Sequence, residues 1–263
     1  MGTPVVFIHG LWVARAAWQP WIDKFAAAGH EAVAPGWPGE AETAEETRRN
    51  PETQAGVGID QVVEEFSRAA RAFETPPVLI GHSFGGLIAQ KLLGQGVGSG
   101  AVAISPAPMK GVLGLPLAQL RSASPVLGNP ANRPKAKGLT RSQYKYAFGN
   151  LLTDEESGEL YDRTAIPSPA KPLFEGAFAN FSPRSPAMVE VNNSHRGPLL
   201  IIAASGDHTV PASSSRSSYK RYAKSSAVTD LKEFDGRGHS LTLDKGWTDV
   251  ADYVLGWLTG KGL

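Results

Sequence analysis

The sequence predicts an α/β chain: a mostly parallel sheet of about six strands, flanked by helices and carrying a helical insertion. Three observations predict it. Short apolar runs bounded by Gly or Pro recur along the chain. Stretches with helical spacing lie between them. The alternation stops after Pro106 and resumes at Pro198.

The strands come in order as "PVVFI" (4–8), "EAVAP" (31–35), "PVLIG" (77–81), "AVAIS" (101–105), "PLLIIAA" (198–204) and a weaker "VTDLKEF" (228–234). Such runs suit strands covered on both faces. Helices are expected over 16–28, 59–73, 84–94, about 213–223 and about 248–259. In the second, Ile59, Val62, Val63, Phe66, Ala69, Ala70 and Phe73 share one face at i, i+3, i+4, i+7 spacing. Strand and helix in alternation imply right-handed crossovers. The segment 37–56, rich in Glu, Thr and Gly, reads as a surface loop. The expected core is 1–106 with 197–263, and 107–196 is read as an inserted cap. The cap holds a Gly/Pro-rich stretch at 124–138 and amphipathic pieces near 140–149, 153–164 and 170–181. A structureless loop of that length is implausible in a compact fold.

Composition narrows the function. The chain has 263 residues, 41% of them apolar, enough for a sizeable core. A formal net charge of +1 gives no electrostatic case for a nucleic-acid or anionic-membrane partner. Lys220, Arg221 and Lys224 read as a solvated helix face. The absence of cysteine removes disulfides, thiol nucleophiles and thiolate metal sites. No histidine pair has the spacing of a helical zinc site, and no phosphate-cradling or dinucleotide glycine motif occurs, so neither metal nor organic cofactor is expected. No run approaches the ~18 apolar residues of a membrane span. The N-terminus shows no secretion signal, so a soluble cytoplasmic protein is expected unless a leader has been removed. Oligomeric state is not legible.

The chemistry centres on "PPVLIGHSFGGLIAQKLL" (76–93), where an apolar run meets a helical pattern at Gly81-His82-Ser83-Phe84-Gly85. A strand that turns straight into a helix needs an abrupt reversal. Glycines two positions either side of Ser83 allow the close approach. The apex hydroxyl then projects from the sheet edge at a helix N-terminus, where free N–H groups favour negative charge. A serine nucleophile needs a base. Of the six histidines, His239 lies in "FDGRGHSLTL", after the last strand and at the same sheet edge. His208 is a weaker rival. His82 should point to the face opposite Ser83, His9 shapes its turn, His30 ends a helix and His195 lies in the cap. The orienting acid is expected to be Asp207, delivered by "LLIIAASGDHTVP", in preference to Asp235. Backbone N–H groups of Leu11, after His9-Gly10, and of Phe84 are the expected oxyanion donors. Trp12 is a candidate pocket residue.

Together "HGLW", "GHSFGG", "GDHTVP" and "GRGHS" resemble the α/β-hydrolase superfamily over nearly the whole chain. The resemblance implies its oxyanion turn, nucleophile elbow, acid turn and histidine loop, with Ser83, Asp207 and His239 in the family's order. It also implies a lid at the cap's position. With "HGLW" so near the start, the family's usual two leading strands are expected to be missing. Ser83 argues against the relatives that use an apical aspartate, the haloalkane dehalogenases and epoxide hydrolases. The implied activity is a serine carboxylesterase acting on a small or medium ester. The same triad also serves perhydrolysis of the haloperoxidase type, lactone, thioester and C–C hydrolysis. A ligand receptor without catalysis is the remaining class.

Overall fold

The computed structural model describes residues 2–114 and 116–263. Its elements run β1 (Val5–Ile8), α1 (Gln19–Ala27), β2 (Ala32–Val33), α2 (Ala44–Arg49), α3 (Ile59–Arg71), β3 (Val78–His82), α4 (Phe84–Gly94) and β4 (Gly100–Ile104). Next come α5 (Leu117–Leu127), β5 (Ala136–Lys137), α6 (Arg141–Ala147), α7 (Asp154–Thr164), β6 (Ser168–Pro169) and α8 (Lys171–Ala177). The chain ends with β7 (Leu199–Ala204), α9 (Ala212–Lys220), β8 (Thr229–Phe234) and α10 (Trp247–Lys261). The main sheet has six strands in the order β2-β1-β3-β4-β7-β8, and every neighbouring pair is parallel. This is the six-stranded parallel sheet that the sequence predicts.

The apolar runs are continuous because both faces of the sheet are covered. In β1, Val6 and Ile8 point into one core with Ile59, Phe66 and Leu87. Val5 and Phe7 point into the other, against Trp21, Phe25 and Val254. So α3 and α4 cover one face, and α1 and α10 the other. Each such side chain, taken fully out of water, contributes ~1.5–3 kcal/mol. In α3 the buried residues are Ile59, Val62, Val63, Phe66 and Ala70, most of the stripe its periodicity marks.

Segment 107–196 holds α5 to α8 and a two-stranded antiparallel sheet of β5 and β6. Helices α6 and α7 each open with a capping box, Thr140 with Gln143 and Thr153 with Glu156. The inner side chains of the segment, among them Val126, Tyr144, Phe148 and Leu160, belong to the same buried cluster as Val6 and Ile8.

Within the Gly/Pro-rich stretch 124–138, α5 runs through Pro125 to Leu127. Proline at that position removes the N–H that would bond the Arg121 carbonyl. The Ser124 hydroxyl donates to that carbonyl instead, at 2.9 Å. The segment 37–56 is not a plain surface loop. It contains α2, capped by Thr43 with acids in its first turn and arginines in its last, and a 3-10 turn at Pro51–Gln54. Trp37, Thr47 and Gln54 from it are buried. Among the described residues no helix is long and apolar enough to cross a membrane.

Candidate active site

The corner between β3 and α4 explains its own glycines. Ser83 sits at φ 58°, ψ −121°, a conformation that L-residues rarely adopt. A Cβ at Gly81 would lie 2.0 Å from the Gly85 carbonyl oxygen, and one at Gly85 would lie 2.0 Å from the Ile8 carbonyl oxygen. Backbone therefore packs on backbone at both positions. The strained residue is tied down: its N–H donates to Ile104 O at 2.9 Å, and its carbonyl accepts from Gly86 and Ala107 at 3.0 and 2.9 Å. Rigid surroundings of this kind hold an unfavourable φ/ψ in place.

Asp207 follows β7 and His239 follows β8, so adjacent parallel strands deliver both to one edge. Asp207 Oδ1 accepts the N–H groups of Thr209 and Val210 at 2.7 and 2.8 Å. Its Oδ2 lies 2.7 Å from His239 Nδ1. Both side chains are fully buried. With Nδ1–H donating to the carboxylate, Nε2 carries the lone pair. Among the described residues Nε2 has no hydrogen-bond partner. The His239 ring packs between Phe148 and His82, with centroids 4.9 and 4.6 Å away. Burial, reinforced by the neighbouring His239 ring, pushes the His82 imidazole well below its ordinary pKa. His82 is thus a neutral neighbour of the pair.

The structure unites Asp207 and His239 and sets Ser83 at a nearby strand end. It does not join Ser83 to His239 by a hydrogen bond; such contacts are often long before substrate binds. The turn after β1 reaches the same place, since a Cβ at Gly10 would lie 2.7 Å from Ser83 Cβ. Among the described residues neither the Leu11 nor the Phe84 N–H is taken by a turn, cap or side-chain hydrogen bond. Trp12, also at positive φ (66°), donates its backbone N–H to Ser168 Oγ and its indole N–H to the Lys137 carbonyl.

Ser83, Leu11, Trp12 and Phe84 open onto one cavity of 440 Å³. Its remaining wall comes largely from the segment between β4 and β7, including Met109, Val112, Leu120, Leu173 and Phe181. No charged side chain lines it among the described residues. Three of its polar side chains are already bonded to backbone: Ser122 to His208 O, Thr209 to Ala147 O, and Asn180 to Gly111 N and Val112 O. Gln119 differs, because its Oε1 is buried without a partner.

The rival residues stand elsewhere. His30 bonds Thr3 O, His195 is exposed, and His208 packs on Tyr146. Asp235 accepts from the Ser205 hydroxyl at the surface. Among the described residues no three His, Asp or Glu side chains are placed to hold a metal ion. Sequence reasoning missed Gln119, the other cavity residues after Pro106, and the packing of Phe148 and His82 on His239. Strand alternation gives the face on which His82 lies but not the loop that returns to cover it.

A model of the alpha/beta hydrolase family matches residues 5–253. The chain belongs to that family. No curated protein matches it closely enough in sequence to be counted. Among solved structures, this family member is similar to a monoacylglycerol lipase of Paleococcus ferrophilus, at 20% identity and a TM-score of 0.69 over 99% of this chain and 97% of the other. It is also similar to an extracellular α/β-hydrolase of a Paenibacillus species, at 17% identity and a TM-score of 0.70 over 97% and 98%. A thermophilic esterase from Thermogutta terrifontis matches at 14% identity and a TM-score of 0.69 over 100% and 92%. At these identities the likeness shows the fold alone.

Proposed function

We propose that this α/β-hydrolase is a serine carboxylesterase for esters with a small or medium apolar group. The observation that carries the reading is the buried Asp207–His239 pair beside a strained Ser83 that opens onto an uncharged apolar cavity. Ser83 Oγ attacks the ester carbonyl while His239 Nε2 takes its proton. The carbonyl π pair moves to oxygen, and the Leu11 and Phe84 N–H groups face that charge. Collapse of the tetrahedral species expels the alcohol, which receives the proton from His239. Water then attacks the acyl-serine with His239 again as base, and the acid leaves. Asp207 holds the ring and stabilises its charged form. Segment 107–196 acts as the cap, since it supplies most of the apolar wall. The esterase and lipase descriptions of structurally similar proteins agree with this reaction class.

Ser83→Ala tests the proposal. It should abolish hydrolysis of p-nitrophenyl acetate and labelling by a fluorophosphonate probe, with the melting temperature kept. Undiminished turnover would refute it.

A further inference from the structure

The turn that follows β1 is held by a buried ring for which ester hydrolysis as written has no task. His9 is 2% exposed. Both of its ring nitrogens face oxygen. Nδ1 lies 2.9 Å from the Gly10 carbonyl, and Nε2 lies 2.7 Å from Glu40 Oε2. The second contact is close without being a straight hydrogen bond, and it is an ion pair only when the ring carries both protons. A carbonyl oxygen and an ionised carboxylate are acceptors only. A bare ring lone pair set against either one at these distances would repel it.

Glu40 does not supply the missing proton. Its Oε1 accepts the Arg15 N–H at 2.8 Å and its Oε2 accepts the Trp37 N–H at 3.1 Å. Burial alone would raise its pKa, but His9 and these two N–H groups outweigh that and hold the carboxyl below its usual range. The other groups around His9 do not compete. Trp37 packs on the ring and donates its indole N–H to the His9 carbonyl, and the Arg15 guanidinium pairs with Glu42.

We propose that His9 is a positioning residue: a buried imidazolium, held by Glu40, that fixes the Gly10–Leu11 peptide so that the Leu11 N–H faces the developing oxyanion. The proposal rests on the esterase reading for its purpose, though not for its charge state. Within one trans peptide the C=O and N–H point in opposite directions. Holding the Gly10 oxygen against His9 therefore commits the Leu11 hydrogen to the other side. A cation on the carbonyl also polarises that peptide and strengthens its N–H as a donor. Such a donor, fixed before reaction, needs no rearrangement when charge develops. This gives the buried part of segment 37–56 a function: it carries the counter-ion.

Two measurements test it on the intact protein. Long-range proton–nitrogen NMR near neutral pH should show both His9 ring nitrogens protonated, the peak being assigned by its loss in His9→Asn. A single-proton tautomer pattern would overturn the proposal whatever the enzyme's activity. In kinetics, Glu40→Gln should lower kcat for a p-nitrophenyl ester by about 10- to 100-fold, less than the loss of a whole oxyanion donor. KM should hardly change, and the alkaline limb of kcat should move to lower pH. Glu40→Asp, which keeps the charge, should recover part of the rate. A Glu40→Gln enzyme with unchanged kcat and pH profile would also overturn it. If wild-type Ser83 resists fluorophosphonate, the esterase reading fails while the NMR result still decides the state of His9.

Discussion

Asp207→Asn is the perturbation whose outcome the geometry fixes most tightly. Oδ1 is held by two backbone N–H groups at 2.7 and 2.8 Å, so the asparagine carbonyl oxygen takes that place. The amide NH2 then stands where Oδ2 now lies, 2.7 Å from His239 Nδ1. An NH2 is a donor, so Nδ1 must become the acceptor and the ring proton moves to Nε2. In the proposed mechanism Nε2 is the atom that receives the Ser83 proton. The wrong tautomer lowers kcat by about 10⁴ in serine hydrolases with this arrangement, or about 5–6 kcal/mol of barrier at ~1.36 kcal/mol per decade. The fold loses one charge-assisted hydrogen bond and keeps a neutral one, a difference of about 1 kcal/mol. In a chain of this size that moves the melting temperature by ~2–4 °C. Saturating rates on p-nitrophenyl butyrate, with thermal melts beside them, check both figures. A loss below about tenfold in a folded variant, or a loss on Asp235→Asn that matches Asp207→Asn, would refute the reasoning.

Further outcomes follow from the packing and the electrostatics. Gly85→Ala sets a Cβ 2.0 Å from the Ile8 carbonyl, so β1 and α4 must part; chemical denaturation should show a loss beyond about 4 kcal/mol, or no soluble protein. Gly256→Ala, in α10 with nothing within 4 Å of the new Cβ, should instead gain about 0.5–1 kcal/mol. Burial depresses the His82 pKa, so below its ordinary value the unfolded chain takes a proton that the folded chain refuses. Stability is therefore lost as pH falls through about 6.5, and melts should show a shallower acid decline in His82→Gln. Gln119→Leu removes the buried polar atom without a partner, so kcat/KM should rise for plain alkyl esters and fall for ω-hydroxy esters. A discrimination change of about 5- to 30-fold is expected.

Where a signal is local, the sequence carries it. Val5–Ile8 and Leu199–Ala204 announce themselves because both faces of each are buried. Gly81 and Gly85 mark the corner because backbone contact leaves room for nothing larger. Asp207 could be preferred to Asp235 because it comes from a strand end separate from the loop that holds His239; the structure buries it and leaves Asp235 at the surface beside Ser205. Elsewhere the information is tertiary. Helix α5 tolerates Pro125 because Ser124 supplies the lost donor, which no composition rule foresees. Helix α2 is too short for periodicity to register, and Trp37 and Glu40 look like loop residues until His9 is seen beneath them. The cavity wall after Pro106 comes from separate helices, so the spacing along any one of them gives no hint that they meet over Ser83.

Among the described residues, the wall that surrounds Ser83 offers no cation to a negative ion. Under the proposed reaction a neutral ester is at home in such a chamber, but the acid it yields ionises near neutral pH and meets no countercharge on the wall. Hydrolysis thus turns a tenant into a trespasser. Release of the carboxylate is downhill, the back reaction must begin from the scarce protonated acid, and accumulated product should inhibit the enzyme only weakly.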